Sequence, residues 1–600
     1  MRNKKINLTI DGTPMAVDDG TTIMEACEQL GISIPRLCYH PDLSLMGSCR
    51  VCVVEVKGMG FYMTSCSQVV WEGMEVQTNS PDIRQARRDI VELLLDNHPK
   101  DCQTCERDGN CELQNLAYSM GVRARHFEGR RKEIPIDVSS HSVVRDAQKC
   151  VLCGRCVRVC GEIQGVHNLS QQGRGFETVV SPAHGAKMDD SVCIQCGQCI
   201  NVCPTAAFLE KRSAGGVWDA IADPEVHVVV QTAPSIRAAI GEGFGLPAGT
   251  PCTGKMVTAL RRLGFDAVFD TDFAADLTII EEAHEFLARL KEGPLPMITS
   301  CSPGWINFME RFYPELIPHA STCRSPMGMM SALVKTYYAK KKGIDPKKIY
   351  VVAVMPCVAK KYEAHRPEHV IEIPWSGDAA EPAAGPKVMA QLTDAVLTTR
   401  ELIWMIKCYG IHFNMLPDGE FDAPLGLASG AGDIFGTTGG VMEATLRAAA
   451  ELVTGKPADR LEFTEVRAVE GLREVYVAIG EHNIRVAVAN GLENAKTILD
   501  KVKAGKESYH VIEVMACPGG CIGGGGQPYP AEGFRVLDPE LLRKRASALY
   551  AIDTAKKLRK SYENPAIEEV YDQFLLEPGS EIAHQLLHTN YSAKLPRGIR

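Results

Sequence analysis

Cysteine is the residue type whose number and spacing in this sequence most directly predict chemistry. The chain has 23 cysteines, and most of them lie in the first 203 residues at short, repeated intervals. Scattered core thiols would not repeat in this way, and disulfides are rare in reducing compartments. Thiolates are soft ligands that bind iron and iron–sulfur clusters. The spacing therefore predicts several iron–sulfur sites.

Two candidate ligand groups lie in the first part of the chain. The first has the spacing C-x10-C-x2-C-x13-C and comprises Cys38, Cys49, Cys52 and Cys66. Its long, unequal gaps favour a plant-type two-iron cluster over zinc. The second has the spacing H-x3-C-x2-C-x5-C and comprises His98, Cys102, Cys105 and Cys111. This donor set suits zinc as well as a four-iron cluster. A zinc ion between electron carriers would interrupt their chain, so the context favours iron.

A third pattern, C-x2-C-x2-C-x3-C, occurs twice and is the most specific signal in the chain. It is typical of bacterial two-cluster ferredoxins, in which the fourth cysteine of each run binds the other cluster. The first predicted ligand set is Cys150, Cys153, Cys156 and Cys203. The second predicted ligand set is Cys160, Cys193, Cys196 and Cys199. Zinc is a remote alternative for either set.

The elements around these groups predict more than one type of fold. Alternating residues around Asp11 and Gly12 indicate a hairpin, and TTIMEACEQLG indicates a short helix, which together suggest a small α+β domain. A long helix is predicted from about Pro81 to Asn97. Residues 122–145 are charged and irregular, as expected at a domain boundary. The last sixty residues are predicted to be helical, charged and free of cysteine, and are a candidate for binding a partner.

From about residue 224, apolar strands alternate with helices. The segments VHVVVQTAP, PLPMITSC, YVVAVMPC and HVIEVMACP predict strands of a buried, largely parallel sheet. Ligands of such sheets bind beyond the carboxyl ends of the strands. Three of these four strand ends carry a cysteine, namely Cys301, Cys357 and Cys517. The sequence therefore predicts a second kind of thiolate site in this half of the chain.

Length and composition exclude several classes of protein. Six hundred residues exceed what one core supports, so three or more domains are expected. A net charge of -9 gives no nucleic-acid footprint. No apolar run reaches the length of a membrane span. The N-terminus has neither a secretory nor a twin-arginine signal, which predicts a cytoplasmic protein.

The four cluster motifs, followed by an α/β domain with cysteine-tipped strands, resemble the iron-only hydrogenases. The segments TSCSPGW at 299–305, MPCVAKKYE at 355–363 and EVMACPGGCIGGGGQP at 513–528 are similar to the three signatures of that family. The resemblance extends from about residue 6 to 540. The first 210 residues alone would equally resemble the large electron-transfer subunit of respiratory complex I.

The resemblance implies a multidomain α+β and α/β architecture. Residues 1–80 would form a β-grasp, plant-type [2Fe-2S] ferredoxin-like domain, and residues 81–124 a small [4Fe-4S] domain with one histidine and three cysteines as ligands. Residues 140–210 would form a two-[4Fe-4S] ferredoxin-like domain, residues 224–540 a catalytic domain of two lobes with parallel sheets, and residues 541–600 a helical tail. The implied reaction is reversible 2H⁺ + 2e⁻ ⇌ H₂.

The implied cofactor of the catalytic domain is the H-cluster. It is a [4Fe-4S] cubane bridged to a two-iron unit that carries carbonyl, cyanide and a dithiolate amine. Matching the signatures makes Cys357, Cys517 and Cys521 cubane ligands, with Cys521 as the bridge. Lys360 matches the donor to one cyanide, and Pro234 and Ser235 match the second cyanide site. The apolar, polarizable side chains that match the cofactor wall are those of Met355 and Met515.

The first signature departs from the common family pattern, which has two adjacent cysteines. Here Ser302 follows Cys301. Strict register makes Cys301 the proton relay and Ser302 an odd ligand, whereas thiolate preference makes Cys301 the fourth cubane ligand. We predict ligation by Cys301. The family's proton route leads from Cys301 to the positions that match its other members, which are Glu282, Ser321, Glu285 and Arg289.

Glu285 and Arg289 also have a simpler interpretation. By themselves, Glu285 and Arg289 would indicate a solvated surface pair, because acid–base pairs at i, i+4 are usually solvated. The family match favours the functional interpretation.

The remaining cysteines lack partners at ligand spacing and are predicted to be core or incidental thiols: Cys27, Cys252, Cys323 and Cys408.

The sequence indicates the electron partner of this chain less directly than it indicates the cluster ligands. The segment GAGDIFGTTGG at 430–440 lacks the dinucleotide fingerprint, so no nicotinamide or flavin site is expected in this chain. The TSCSPGW variant and the tail resemble catalytic subunits of multimeric, NAD(P)-linked, often electron-bifurcating hydrogenases. This implies ferredoxin and flavin- or NAD(P)-binding subunits as partners. The alternatives are a stand-alone ferredoxin hydrogenase, a complex-I-like electron-transfer subunit, and a cluster-assembly relative; Lys360 and Glu363 weigh against the last.

Overall fold

The structure is a computed structural model. It describes residues 4–124, 126–127, 129–374, 387–454, 460–468, 471–480, 482–530 and 535–594. Among these residues, no helix is both long and apolar enough to cross a membrane.

The N-terminal region is a five-stranded sheet with one helix packed on it. Its elements are β1 (Lys5–Ile10), β2 (Thr13–Asp18), α1 (Ile23–Gln29), β3 (Val53–Val56), β4 (Met63–Thr64) and β5 (Met74–Gln77). The strand order is β2-β1-β5-β3-β4, with β1 and β5 parallel. The predicted hairpin and helix are confirmed. Thr22 and Glu25 form a capping box that begins α1.

A small helical region and a ferredoxin-like region follow. The predicted long helix is confirmed as α2 (Pro81–Asp96), which begins with Ser80 as its N-cap and Pro81 in its first turn. The other elements are α3 (Glu112–Ser119), β6 (Val143–Arg145), α4 (Arg155–Arg158), β7 (Ser170–Gln172), β8 (Val179–Ser181), α5 (Gln198–Val202) and β9 (Phe208–Glu210). Strand β6 pairs with β9 and β7 with β8, both antiparallel.

The first lobe of the C-terminal half is built on a four-stranded parallel sheet of order β11-β10-β13-β16. The elements in this part of the chain are α6 (Ala214–Ala222), β10 (His227–Thr232), α7 (Pro234–Arg237), α8 (Thr253–Leu263), β11 (Ala267–Asp270), α9 (Thr271–Glu292), β12 (Met297–Ile298), α10 (Pro303–Phe312), α11 (Pro326–Leu333), α12 (Ala339–Lys342), β13 (Ile349–Met355), α13 (Ala359–Ala364), β14 (Val370–Pro374), β15 (Lys387–Gln391), β16 (Ala395–Thr398) and α14 (Thr399–Cys408). Of these, β12 belongs to the sheet of the second lobe. Successive residues of β10 face opposite cores, with Val228 and Val230 in one and Val229 in the other.

The second lobe contains a four-stranded sheet of order β12-β19-β18-β17. It adds α15 (Gly430–Ile434), α16 (Gly440–Thr454), β17 (Leu472–Ile479), β18 (His482–Asn490), α17 (Leu492–Lys503) and β19 (Val511–Met515). Strands β12, β19 and β18 are parallel, but β17 pairs with β18 antiparallel. The prediction of parallel sheets in both lobes is therefore wrong for this lobe. Strand β17 lies at the edge of the sheet, where an antiparallel strand is often added to an otherwise parallel sheet.

The C-terminal segment is helical, as predicted, and packs onto the first lobe. It contains α18 (Pro539–Ala555), α19 (Pro565–Val570) and α20 (Glu581–Leu587). Leu575 and Leu587 are fully buried in the core that also holds α9 and α11. The backbone N–H of Arg324 donates to the Leu587 carbonyl at 2.7 Å. Residues 539–594 are therefore part of the folded body and not an exposed extension.

Candidate active site

The first predicted ligand group lies together between the N-terminal sheet and the helical region. All four thiols are buried, and the Sγ atoms of Cys52 and Cys66 are 3.4 Å apart. The bond to Cys49 lowers the pKa of Cys38 to about 5, and the bond to Cys66 lowers the pKa of Cys52 to about 6. Each pair thus favours one thiolate even without iron, and thiolate is the form that binds metal.

The group of one histidine and three cysteines lies at the junction of α2 and α3. His98 follows the end of α2, and Cys111 is the residue before α3. The ammonium of Lys149 donates to Cys105 Sγ at 3.5 Å. Burial is the main cause of the raised pKa of Cys111, and the charge of Cys105 adds to it. Cys102 is exposed.

The two ferredoxin-like runs interleave. The charge of Cys203 raises the pKa values of the first three cysteines of the first run, after burial as the largest cause. Cys160, the fourth cysteine of that run, has the same effect on the first three cysteines of the second run. The structure therefore brings each fourth cysteine among the thiols of the other run.

The thiol groups are linked by packed side chains. One hydrophobic cluster contains Cys38, Cys49, Cys111 and Cys153, which belong to three different predicted sites. At the other end, Cys196 and Cys357 lie close enough for their charges to interact. An ideal Cβ on Gly525 would lie 2.5 Å from the Cys196 carbonyl oxygen. The second ferredoxin-like run therefore abuts the predicted catalytic signatures.

The predicted catalytic thiols surround one cavity of about 80 Å³, lined mainly by apolar atoms. It lies beyond the carboxyl ends of β10, β13 and β19, where parallel sheets bind ligands. The predicted site residues that line it are Pro234, Cys301, Met355, Cys357, Lys360, Met515, Cys517 and Cys521. Ser302 also lines it. Ser235 does not; its hydroxyl accepts a hydrogen bond from the Gln527 amide at 3.4 Å.

These residues fit a thiolate-bound iron cofactor. Cys357 and Cys517 hydrogen-bond to each other, which lowers the pKa of Cys357 and raises that of Cys517. Burial raises the pKa of Cys521 to about 12. The wall beside them is backbone, because a Cβ on Gly520 would lie 2.8 Å from the Thr438 nitrogen and one on Gly524 would lie 2.3 Å from the Pro356 oxygen. Glycine at these positions allows the close approach of the chain.

Lys360 is held at the cavity by a buried ion pair. Its Nζ lies 2.7 Å from Glu363 Oε2 and donates to the Cys301 carbonyl at 3.3 Å. Burial opposes ionisation of Glu363, but Lys360 and His369 together hold its pKa well below the usual range. A charged donor therefore faces an otherwise apolar cavity.

Cys301 and Ser302 face different neighbours. Burial, followed by the charge of Glu282 and then that of Cys521, raises the pKa of Cys301. The Ser302 hydroxyl instead accepts a hydrogen bond from the backbone N–H of Ala516 at 3.3 Å, next to Cys517. The predicted ligand Cys301 thus lies beside the first acid of the predicted proton route.

The acids of that route lie on α9. Burial raises the pKa of Glu282 to about 8, and the charge of Glu285 adds to this rise. Glu285 Oε2 accepts from the Ser321 hydroxyl at 2.8 Å, and Oε1 lies 2.6 Å from the Arg289 guanidinium. The side chains of Glu285 and Arg289 are only 13% and 11% exposed. The interpretation of this pair as solvated is therefore wrong, because the 318–322 segment covers it.

Sequence reasoning missed several groups at this site. Cys323, predicted to be a core or incidental thiol, is fully buried in a core, and its Sγ lies 3.8 Å from Glu285 Oε2, a contact that its spacing did not indicate. Thr322 and His588 also contact this cluster of polar groups. His588 is 266 residues from Thr322 in the chain, and no spacing pattern connects the two. Cys27 and Cys252 are buried in cores, and Cys408 is exposed, in accordance with the prediction.

A fold with ferredoxin-like regions leading to a thiol-lined cavity defines an iron–sulfur redox protein. Comparisons of the sequence with known proteins identify the family within this class. The family model for the iron-only hydrogenase large subunit, C-terminal domain, matches residues 226–525. Further models match residues 3–81 (2Fe-2S iron-sulfur cluster binding domain), 87–126 (NADH-ubiquinone oxidoreductase-G iron-sulfur binding region), 149–207 (4Fe-4S dicluster domain) and 539–594 (iron hydrogenase small subunit).

Relatives match nearly the whole chain. The chain is 48% identical to the NADP-reducing hydrogenase subunit HndD of Solidesulfovibrio fructosivorans, over 98% of each chain. It is 40% identical to iron hydrogenase 1 of Clostridium pasteurianum, over 97% of this chain and 99% of that protein. The apo [FeFe]-hydrogenase HydA1 of Chlamydomonas reinhardtii is 43% identical with a TM-score of 0.54, covering 63% of this chain and 98% of that one. The chain belongs to the iron-only hydrogenase family and is an [FeFe] hydrogenase with N-terminal iron–sulfur domains.

Proposed function

We propose that this chain catalyses 2H⁺ + 2e⁻ ⇌ H₂ at an H-cluster in the cavity and receives electrons through one [2Fe-2S] and three [4Fe-4S] clusters. The observation that carries the proposal is the convergence of Cys357, Cys517 and Cys521 with the Lys360 ammonium in one cavity. In this proposal the thiolates of Cys357, Cys517 and Cys521 would hold the cofactor. When bound, the cofactor supplies the iron site at which H₂ forms or splits.

The side chains around the cavity then have distinct tasks. Met355, Met515 and Pro234 keep bulk water away from the reacting centre. Lys360 donates to a cyanide ligand and is kept charged and oriented by Glu363. Ser235, which matches the second cyanide site, lies outside the cavity lining, and its hydroxyl accepts a hydrogen bond from Gln527.

Protons travel between the cavity and the surface on side chains of this chain. We propose that the Cys301 thiol exchanges a proton with the Glu282 carboxylate, and that Ser321 connects Glu282 to Glu285. The electrostatic contact between Cys301 and Glu282 and the 2.8 Å bond from Ser321 to Glu285 support this order. Arg289 orients Glu285. Ligation of the cubane by Cys301, predicted from thiolate preference, is the alternative, and Ser302 then has no ligand role.

A pair of variants separates these roles. Cys301→Ser removes the thiol, whereas Ser302→Cys supplies a second one. If Cys301 carries protons, Cys301→Ser keeps the electron paramagnetic resonance signal of the cubane and loses hydrogen evolution. Loss of that signal in Cys301→Ser, with its recovery in the double variant, would instead establish ligation.

The overall function is tested with the matured protein. We expect infrared bands of bound carbonyl and cyanide, and hydrogen evolution from reduced methyl viologen. A fully matured protein with these bands but no hydrogen activity would contradict the proposal. Cys521→Ala is the matched variant and should lose both.

We further propose that the chain works in a complex with flavin- and NAD(P)-binding subunits, which could also accept electrons from ferredoxin. This rests on the similarity to a protein named as an NADP-reducing hydrogenase subunit over 98% of both chains. Purification from the native host should yield a flavoprotein partner and hydrogen-dependent reduction of NAD(P)⁺. Activity with ferredoxin alone by an isolated chain would favour the stand-alone alternative.

A further inference from the structure

The end of the proton route is not explained by the residues assigned to it. Arg289 donates to the carbonyl groups of Pro318, His319 and Ala320 at 3.3, 3.0 and 2.7 Å, and to Glu285 at 2.6 Å. A guanidinium has no acceptor atom and does not lose its proton in proteins. Arg289 can therefore hold Glu285 in place but cannot pass a proton on. A relay through side chains beyond Glu285 therefore needs another group.

Thr322 is in contact with the same carboxylate. Its backbone N–H lies 3.1 Å from both oxygens of Glu285, and its hydroxyl Oγ1 lies 3.3 Å from Oε1. The same hydroxyl lies 2.8 Å from Nδ1 of His588. Nε2 of His588 lies 3.2 Å from Glu281 Oε2. These bonds form a continuous chain from Glu285 through Thr322 to His588.

The surroundings of His588 select the tautomer that such a chain needs. Glu281 is a buried carboxylate that also accepts from the Tyr571 hydroxyl at 2.6 Å and from the Gly579 N–H at 3.0 Å. As an acceptor it favours the proton of His588 on Nε2. Nδ1 is then free to accept from the Thr322 hydroxyl. The orientation is thus set by α9 and the C-terminal segment together.

The His588 ring lies next to a residue at the surface. Its side chain is 7% exposed, and the ring of His584, an exposed residue, packs against it with centroids 4.3 Å apart. The Cys323 thiol and Glu285 complete the groups that face it, with ligand atoms within 4.8 Å of one another and of a His588 nitrogen. The Glu285 carboxylate is therefore connected to a largely buried imidazole that lies against an exposed residue.

We propose that Thr322 and His588 form a proton-conducting branch of the route, in which His588 exchanges protons with solvent for Glu285. In the outward direction, the Glu285 carboxyl gives its proton to Thr322 Oγ1 as the Thr322 hydroxyl gives its own to His588 Nδ1. Glu285 loses one proton, Thr322 gains one and loses one, and His588 gains one that it then releases to solvent; no electron moves. Imidazole both gains and loses protons between about pH 5 and 8, which a guanidinium does not. The inference rests on the proposed function of the chain.

The test uses two variants and two matched controls in the matured full-length protein. His588→Gln keeps an amide at the hydrogen-bonding position but removes titration, and Thr322→Val removes the hydroxyl at nearly constant volume. His584→Gln and Thr322→Ser are the controls. With equal iron content, the two test variants should evolve hydrogen roughly three- to tenfold more slowly, below the 10²-fold typical of a sole proton-transfer group because Glu285 retains some exposure.

Two measurements exclude a merely structural role. Added imidazole should restore the rate of His588→Ala and should not change Thr322→Val. In the chain without the two-iron unit, the pH-difference infrared spectrum should contain a titrating imidazole band that His588→Gln loses and His584→Gln keeps.

Unchanged rates and pH profiles in both His588→Gln and Thr322→Val would overturn the branch and leave the proposed function intact. If His588→Gln fails to fold, the comparison of Thr322→Val with Thr322→Ser decides, and equal rates would again overturn the branch. A wild-type protein without hydrogen activity would contradict the proposed function instead. In that case the infrared titration still decides whether His588 exchanges protons.

Discussion

Replacing Glu282 with glutamine tests the proton route most directly. The side chain is 1% exposed, and the Ser321 hydroxyl is the neighbour that offers its carboxyl group a hydrogen bond. Burial and the charge of Glu285 raise its pKa from 4.5 to about 8. At pH 7 the protonated form therefore exceeds the ionised form by about ten to one. Glu282 is poised to hold a proton that glutamine cannot transfer.

The same shift has a consequence for stability. A shift of roughly 3.5 pH units corresponds to about 5 kcal/mol at 1.36 kcal/mol per unit. In the unfolded chain Glu282 ionises above about pH 4.5, whereas in the folded chain it keeps its proton until about pH 8. The unfolded state thus gains stability as the pH rises through this window. Glu282→Gln lacks this penalty and should gain stability relative to the wild type, by up to about 5 kcal/mol near pH 8.

Three measurements check this reasoning. Hydrogen evolution by Glu282→Gln should fall by about 10²- to 10⁴-fold while the carbonyl and cyanide infrared bands persist. The difference in Tm between the variant and the wild type should grow between about pH 5 and 8. The carbonyl stretch of a protonated carboxyl group should titrate near pH 8 and be absent from the variant. Wild-type rates in the variant, or a carboxyl band already lost at acidic pH, would refute the argument.

Three further perturbations have defined outcomes. Cys203→Ser should lose one four-iron cluster, seen as about four fewer iron atoms per chain, whereas Cys408→Ser, at an exposed thiol, should lose none. Lys360→Met should remove the ammonium group from the buried Glu363, leaving His369 and Ser325 as its partners, and lower stability by about 3–5 kcal/mol; a Tm equal to that of Lys360→Arg would contradict this. Gly525→Ala should lower Tm by an amount corresponding to about 1–3 kcal/mol, because its Cβ would lie 2.5 Å from the Cys196 oxygen; Gly60→Ala, where φ is also not positive and the added Cβ meets no atom within 4 Å, is the control without a clash.

The local elements and the ligand groups were largely readable from the sequence. The hairpin at Asp11, α1, α2 and the four apolar strands depend on residues close together in the chain, and all are present in the structure. The candidate cluster ligands are similarly local, because one short loop presents two or three thiols at x2 spacing. The repeated motif also predicted that Cys203 lies with the first run and Cys160 with the second. The family signatures then indicated which strand ends would meet.

The tertiary structure decided what depends on residues far apart in the chain. The antiparallel position of β17, the displacement of Ser235 from the cavity lining and the burial of the C-terminal segment have no local signal. The raised pKa of Glu282 arises because its neighbours exclude water, and the contact of His588 with Thr322 spans 266 residues. Periodicity and spacing report the environment along one segment. Desolvation and hydrogen bonding between segments exist only once the chain has folded.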